Sequence, residues 1–244
     1  MRVFGLVVLV LALVLGVEVW LALRREYLPT DPPLELRGVF GPAGGAPLNF
    51  VVMGDSTSAG IGAGDAEHAY PTLLAERLAE ATGRRVRLTV LGVSGARVKD
   101  VLNDQLPQLG AVEPDIVFIG IGANDVTHFT DLADIQADMK QILEGVTRLG
   151  TEVVVAGAPD MRVAAWLQPL RYLTYLRGKQ VAAAIEEVAR AQRVPVVELA
   201  EETGHFFAEE PAAHFSEDEF HPSALGYQRW ADAIFPVLIR TVEG

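Results

Sequence analysis

Five short, continuously apolar runs constrain this chain more than any other feature. They are LNFVVM (48–53), VRLTVLG (86–92), DIVFIGIG (115–122), EVVVAGAP (152–159) and VPVVELA (194–200). Each is strand length, and glycine or proline lies in or beside each. Between them lie segments with helical spacing: PTLLAERLAEAT (71–82), DLADIQADMKQILEGVTRLG (131–150), Leu170 to Gln192, and SALGYQRWADAIFPVLIRTV (223–242). A strand with one wet face alternates apolar and polar residues. A strand apolar throughout must be covered on both faces. Strands alternating with helices therefore predict an α/β fold with a parallel sheet between helical layers.

The chain has 244 residues, half of them hydrophobic, which suits one domain with a full core. The net charge of −12 and the lack of any long Lys/Arg run exclude a nucleic-acid partner, because phosphate binding needs clustered positive charge. With no cysteine, thiolate zinc sites and disulfides are excluded too.

The N-terminal stretch Val3 to Leu23 carries one charge, Glu18, in 21 residues. As a helix it would span roughly 30 Å, about one bilayer core. No A-x-A-like cleavage site precedes Arg24, so a retained transmembrane anchor (1–23) is expected rather than a cleaved signal peptide. Glu18 sits near one end of the span, within reach of the interface. Arg2 and the terminal amine nearly balance Arg24 and Arg25, so the charge rule does not place the domain. An extracytoplasmic domain is expected because such anchors commonly precede exported domains. Residues 24–47 hold five prolines and four glycines and read as a linker, leaving 48–244 as the domain.

In open parallel sheets, sites form beyond the carboxyl ends of the strands. The first strand ends in Gly54-Asp55-Ser56, the second in GVSGAR (92–97), and the third in GIGAND (120–125). SEDEFHPSALGY (216–227) follows the fifth. One rim would thus present Ser56, Gly95, Asn124, Asp218 and His221. A serine hydroxyl needs a base to take its proton, and His221 can serve. Asp218, three residues earlier, can hold the other imidazole nitrogen. The N–H groups of Ser56 and Gly95 and the Asn124 amide can receive an oxyanion.

In order, GDS (54–56), the glycine of VSG (95), GAND (122–125) and DEFH (218–221) resemble the four blocks of SGNH hydrolases, also called GDSL-type esterases and lipases. The resemblance covers nearly all of 48–244. It implies a flavodoxin-like three-layer α/β/α sandwich with a five-stranded parallel sheet. It also implies Ser56 as nucleophile, His221 as base, Asp218 as orienting acid, and Gly95 and Asn124 as oxyanion donors. GDSL reads GDST here, and Val90 stands where the second block often has asparagine. Neither departure removes a catalytic group.

The expected function is a serine esterase acting through an acyl-enzyme on Ser56, with no cofactor and no metal. Its partners would be a small-molecule, glycan or lipid ester, and a membrane through the N-terminal helix. An O-acyltransferase on envelope glycans is the alternative with the same triad, and a non-catalytic envelope-binding module is the second. Asp55 reads as a turn-holding residue and Asp160 as a weaker rival acid. His128 is a pocket candidate or an exposed loop residue. His68, His205 and His214 read as surface without a clear partner. Trp166, Leu167, Leu170, Tyr172 and Leu173 read chiefly as helix packing, with an acyl-pocket cover as the alternative. The nucleophile elbow GxSxG is absent at 54–58, and GIGAND lacks the third glycine of a dinucleotide fingerprint.

Overall fold

A computed structural model describes residues 2–243, so the terminal amine and Gly244 lie outside it. The strands are β1 (Arg37–Phe40), β2 (Pro47–Gly54), β3 (Arg85–Val90), β4 (Ile116–Gly120), β5 (Glu152–Ala156) and β6 (Val196–Val197). They form one sheet in the order β1-β3-β2-β4-β5-β6. From β3 to β6 every pairing is parallel, with Phe50 opposite both Leu88 and Ile116. The five parallel strands are the five apolar runs, in the order a flavodoxin-like sheet takes.

Both faces of the sheet are covered because successive side chains point opposite ways. Phe50 and Val52 of β2 join one core with helices α2 (Tyr70–Thr82) and α6 (Ala224–Glu243). Val51 and Met53 join the other with α3 (Leu132–Arg148) and α4 (Leu170–Ala191). The helix signals are local: Pro71 lies in the first turn of α2, and Gly83 closes it at φ 66°. Asp131 caps α3, accepting the Ala133 N–H at 2.8 Å, a contact worth about 1 kcal/mol.

Three expectations need correction. Residues 24–47 are not merely a spacer, since β1 lies within them and pairs antiparallel with β3, with Leu36 buried just before it. The sheet therefore has six strands. The expected strand 194–200 shrinks to Val196–Val197, and helix α5 (Leu199–Glu209) follows at once. Pro195 cannot donate to a ladder, and Glu201 and Glu202 suit a helix's first turn. His214 is buried at 3 % exposure, its Nδ1 at 3.0 Å from the Glu210 carbonyl oxygen, and His68 pairs with Asp65 at 2.7 Å.

Helix α1 (Arg2–Arg24) leaves most of its apolar side chains uncovered, with Phe4 75 % and Leu13 61 % exposed. It is long and apolar enough to cross a membrane, as a signal sequence also would be. Its C-terminal end touches the domain. Glu18, only 7 % exposed, accepts the Leu170 N–H at 2.9 Å. Leu170 opens α4, whose cap residue Pro169 supplies no side-chain bond, so Glu18 satisfies an otherwise orphaned N-terminal donor.

Candidate active site

The site begins where β2 ends. Gly54 turns the chain at φ 150°, where a Cβ would stand 2.1 Å from the Gly120 carbonyl oxygen. Only glycine fits, and Ser56 leaves the strand two residues later. Asp55 is buried, and its Oδ1 accepts both the N–H (2.9 Å) and the hydroxyl (2.8 Å) of Thr57. Burial pushes the Asp55 carboxyl up, against the pull of those two bonds. Thr57, where the family name has leucine, thus braces the turn that carries Ser56.

The second half of the site lies before α6. Residues 215–222 form a tight loop closed by the Phe215–Pro222 bridge and by the Ser216 N–H donating to His221 O at 2.8 Å. Inside it, Asp218 Oδ1 accepts from the Ser216 hydroxyl (2.8 Å) and the N–H groups of Phe220 and His221 (both 2.9 Å). Its Oδ2 lies 2.7 Å from His221 Nδ1. Burial alone would raise this carboxyl, but the His221 bonds and the Phe220 N–H hold it well below the usual aspartate range. His221 Nε2 lies 3.0 Å from Ser56 Oγ. Ser56, His221 and Asp218 therefore form one buried hydrogen-bonded chain.

Gly95 and Asn124 border the same rim. Gly95 has φ 81° in the turn after β3, and its N–H, like that of Ser56, meets no acceptor among the described residues. Asn124 Nδ2 donates to Ala96 O at 3.0 Å, leaving its second N–H for another acceptor. Buried Asp125 accepts the Val98 N–H at 3.0 Å. Neighbouring residues of the GAND block thus fix the turn that bears Gly95.

Ser56, Asn124 and His221 line a narrow cleft, open to solvent, whose apolar wall includes Met161, Val163, Phe207, Phe215, Phe220 and Trp230. Asp160 lies in that wall, salt-bridged to Arg162 at 2.5 Å rather than to His221. His128 is exposed, with Nδ1 2.8 Å from Asn124 O, outside the lining. Of the 166–173 stretch, Trp166 and Leu170 are buried in the core, while Leu167, Tyr172 and Leu173 are exposed; none of them lines the cleft.

Two contributions were not legible in the sequence. Gln105 closes a π-helical turn, Val101–Gln105, and clamps Gly54 through both backbone groups: its Oε1 accepts the N–H at 2.9 Å and its Nε2 donates to the oxygen at 2.7 Å. The second is the segment expected to be a linker. Leu28 N donates to Asp218 Oδ2 at 3.2 Å, Arg25 pairs with Glu219 at 2.7 Å, and Tyr27 packs edge-on to Phe220 at 4.9 Å. Residues 25–28 touch three consecutive residues of the loop that holds the acid.

Together the parallel sheet and the hydrogen-bonded Ser–His–Asp chain at its rim have the architecture of a hydrolase of the α/β sandwich type. The sequence model of the GDSL-like Lipase/Acylhydrolase family matches residues 52–229. A GDSL-like esterase of Mycobacterium tuberculosis is 33% identical over 221 residues, 85% of this chain and 70% of the relative. The chain belongs to the GDSL-like lipase/acylhydrolase family and is a carboxylic ester hydrolase. Similar solved structures include TesA, at 22% identity and TM-score 0.65, covering 79% of this chain and 99% of that one. An acetylxylan esterase from Geobacillus stearothermophilus, solved as a catalytic mutant, matches at 20% identity and TM-score 0.64, over 80% of this chain and 95% of its own. These structural likenesses establish the SGNH hydrolase fold.

Proposed function

We propose that this ester hydrolase acts through an acyl-enzyme on Ser56. The observation that carries the reading is the chain Ser56 Oγ–His221 Nε2 (3.0 Å) and His221 Nδ1–Asp218 Oδ2 (2.7 Å). Ser56 Oγ attacks the ester carbonyl carbon as its proton passes to His221 Nε2. The ionised Asp218 holds the ring's tautomer and balances the imidazolium. The oxyanion is received by the Ser56 and Gly95 N–H groups and the free Asn124 N–H, whose removal would each cost about 10²–10³ in rate. Collapse expels the alcohol, which takes the proton from His221. Water then attacks the acyl-enzyme, gives a proton to His221, and releases the acid as Ser56 regains its hydrogen.

The mostly apolar cleft suits a hydrocarbon acyl group better than a polar one. Ser56→Ala and His221→Ala should each abolish p-nitrophenyl acetate hydrolysis with the circular dichroism unchanged; full activity in the Ser56 variant sinks the mechanism. With a sugar acceptor present, free acid is the expected product, and an acylated sugar would establish the transferase reading instead. Helix α1 holds the domain to a membrane, on the extracytoplasmic side, which protease protection in intact cells tests.

A further inference from the structure

Helix α1 presents a geometric problem that the domain itself resolves. Glu18 lies six residues before Arg24, about 9 Å along the helix axis at 1.5 Å per residue. It is bonded to Leu170 N at the head of α4. If α1 crosses a bilayer, the start of α4 must lie at the depth of Glu18, below the level of Arg24 and Arg25. A polar, hydrated surface could not be placed there.

The surface at that point is apolar. Leu167 (59 %), Tyr172 (55 %), Leu173 (44 %) and Leu176 (41 %) are exposed within one ten-residue stretch. Residues 172, 173 and 176 share a face of α4, being three and four apart. Leu167 and Trp166 border a groove whose other wall holds Trp20, Leu21 and Ala22 of α1 with Glu18, Arg24 and Arg25, so the patch continues into the helix and ends at its basic residues. Trp20 and Tyr172 are aromatic types that favour headgroup level, and Arg24 stacks over Trp20 at 4.6 Å. The segment is also held rigidly: Arg171 donates to the carbonyl oxygens of Trp166 (2.7 Å) and Ala164 (2.6 Å), and Ala165 N donates to Glu219 O at 3.0 Å.

We propose that the face bearing Leu167, Tyr172, Leu173 and Leu176 rests in the lipid interface of the bilayer that α1 enters. The domain is then not a free body on a tether but is seated on the membrane, with the Glu18–Leu170 bond fixing its depth. The proposal rests on the reading of α1 as a membrane helix.

The chain has no cysteine, so single labels can be placed without background. The full chain, reconstituted in phospholipid nanodiscs, would carry an environment-sensitive fluorophore at Leu167→Cys, Leu173→Cys, Leu13→Cys or Glu80→Cys, one at a time. A nitroxide-bearing lipid, with the nitroxide high on its acyl chain, serves as quencher. Labels at 167 and 173 should lose about half their emission, as expected for side chains about 5–10 Å into the headgroup boundary. The label at 80, on the opposite helical layer, should lose almost none. If 13 is quenched while 167 and 173 behave like 80, the seating is overturned though α1 is inserted. If 13 is not quenched, the membrane reading of α1 fails and the seating falls with it.

Discussion

Asp218 is the most heavily bonded side chain of the site. Five hydrogen-bonding groups reach its two oxygens: the Ser216 hydroxyl, the N–H groups of Leu28, Phe220 and His221, and the His221 ring. They stabilise the ionised form, and this has a signed consequence. Because its carboxyl is held below the ordinary value, Asp218 contributes stability that is fully present above that value. The contribution is lost as pH falls through the lower native value. Asp218→Asn should therefore be less stable than the parent at neutral pH, with the gap narrowing below about pH 4. Urea unfolding at a series of pH values measures it. The same variant should lose about 10³–10⁴ in kcat/KM, since an amide cannot hold the required tautomer. Asp218 and His221 were readable from the DxxH spacing, because a three-residue loop leaves few ways to place them. The Thr57 brace was not readable, since a threonine in a turn says nothing of its partner until Asp55 is seen to be buried.

At the level of elements, the π-turn ending in Gln105 holds the strand end from which Ser56 leaves the sheet. Gly54 pairs with Gly120 of β4 and its oxygen accepts the Val93 N–H at 3.1 Å, and Gln105 adds a bond to each of its backbone groups from one side chain. Gln105→Leu keeps the volume, removes the acceptor of the Gly54 N–H and leaves Gly54 O with the Val93 N–H alone. It should destabilise the protein by about 1–3 kcal/mol, with a fall in kcat as Ser56 loosens. Denaturant midpoints check the first effect and saturation kinetics the second; no change in either would mean that the clamp is idle. The signal was missed because 98–112 is a broken helical run of four short pieces, and one buried glutamine in it looks like any other. Long periodic helices such as α3 were legible, since their apolar stripe repeats over several turns. Helix α5, which supplies Phe207 to the cleft, was missed, and its first two residues were read as the end of a strand.

Taken as a whole molecule, the catalytic loop is held from two directions. One is the sheet rim, which brings Ser56 to His221 across 165 positions of sequence. The other is the N-terminal segment, whose Leu28, Arg25 and Tyr27 touch the loop while its strand β1 pairs with β3 at the sheet edge. A fragment starting at residue 48 loses all four and exposes the strip that Leu36 covers. Compared with a fragment starting at residue 25, its Tm should fall by about 3–12 °C, given about 2–4 °C per kcal/mol at this size and about 1.5–3 kcal/mol for one buried leucine. Differential scanning calorimetry of the two decides, and equal Tm values would reduce residues 25–47 to a spacer.

By itself the sequence determined the parallel sheet, its helical layers and the five residues that meet at its rim. Those depend on local periodicity and on short motifs at strand ends, which any register of the fold must preserve. The tertiary structure alone decided that the proline-rich segment braces Asp218, that Gln105 clamps Gly54, and that Glu18 caps α4. Each is a contact between distant residues in which a polar group must find a partner once water is excluded. Which partner it finds depends on the packed geometry, and no spacing along the chain encodes it.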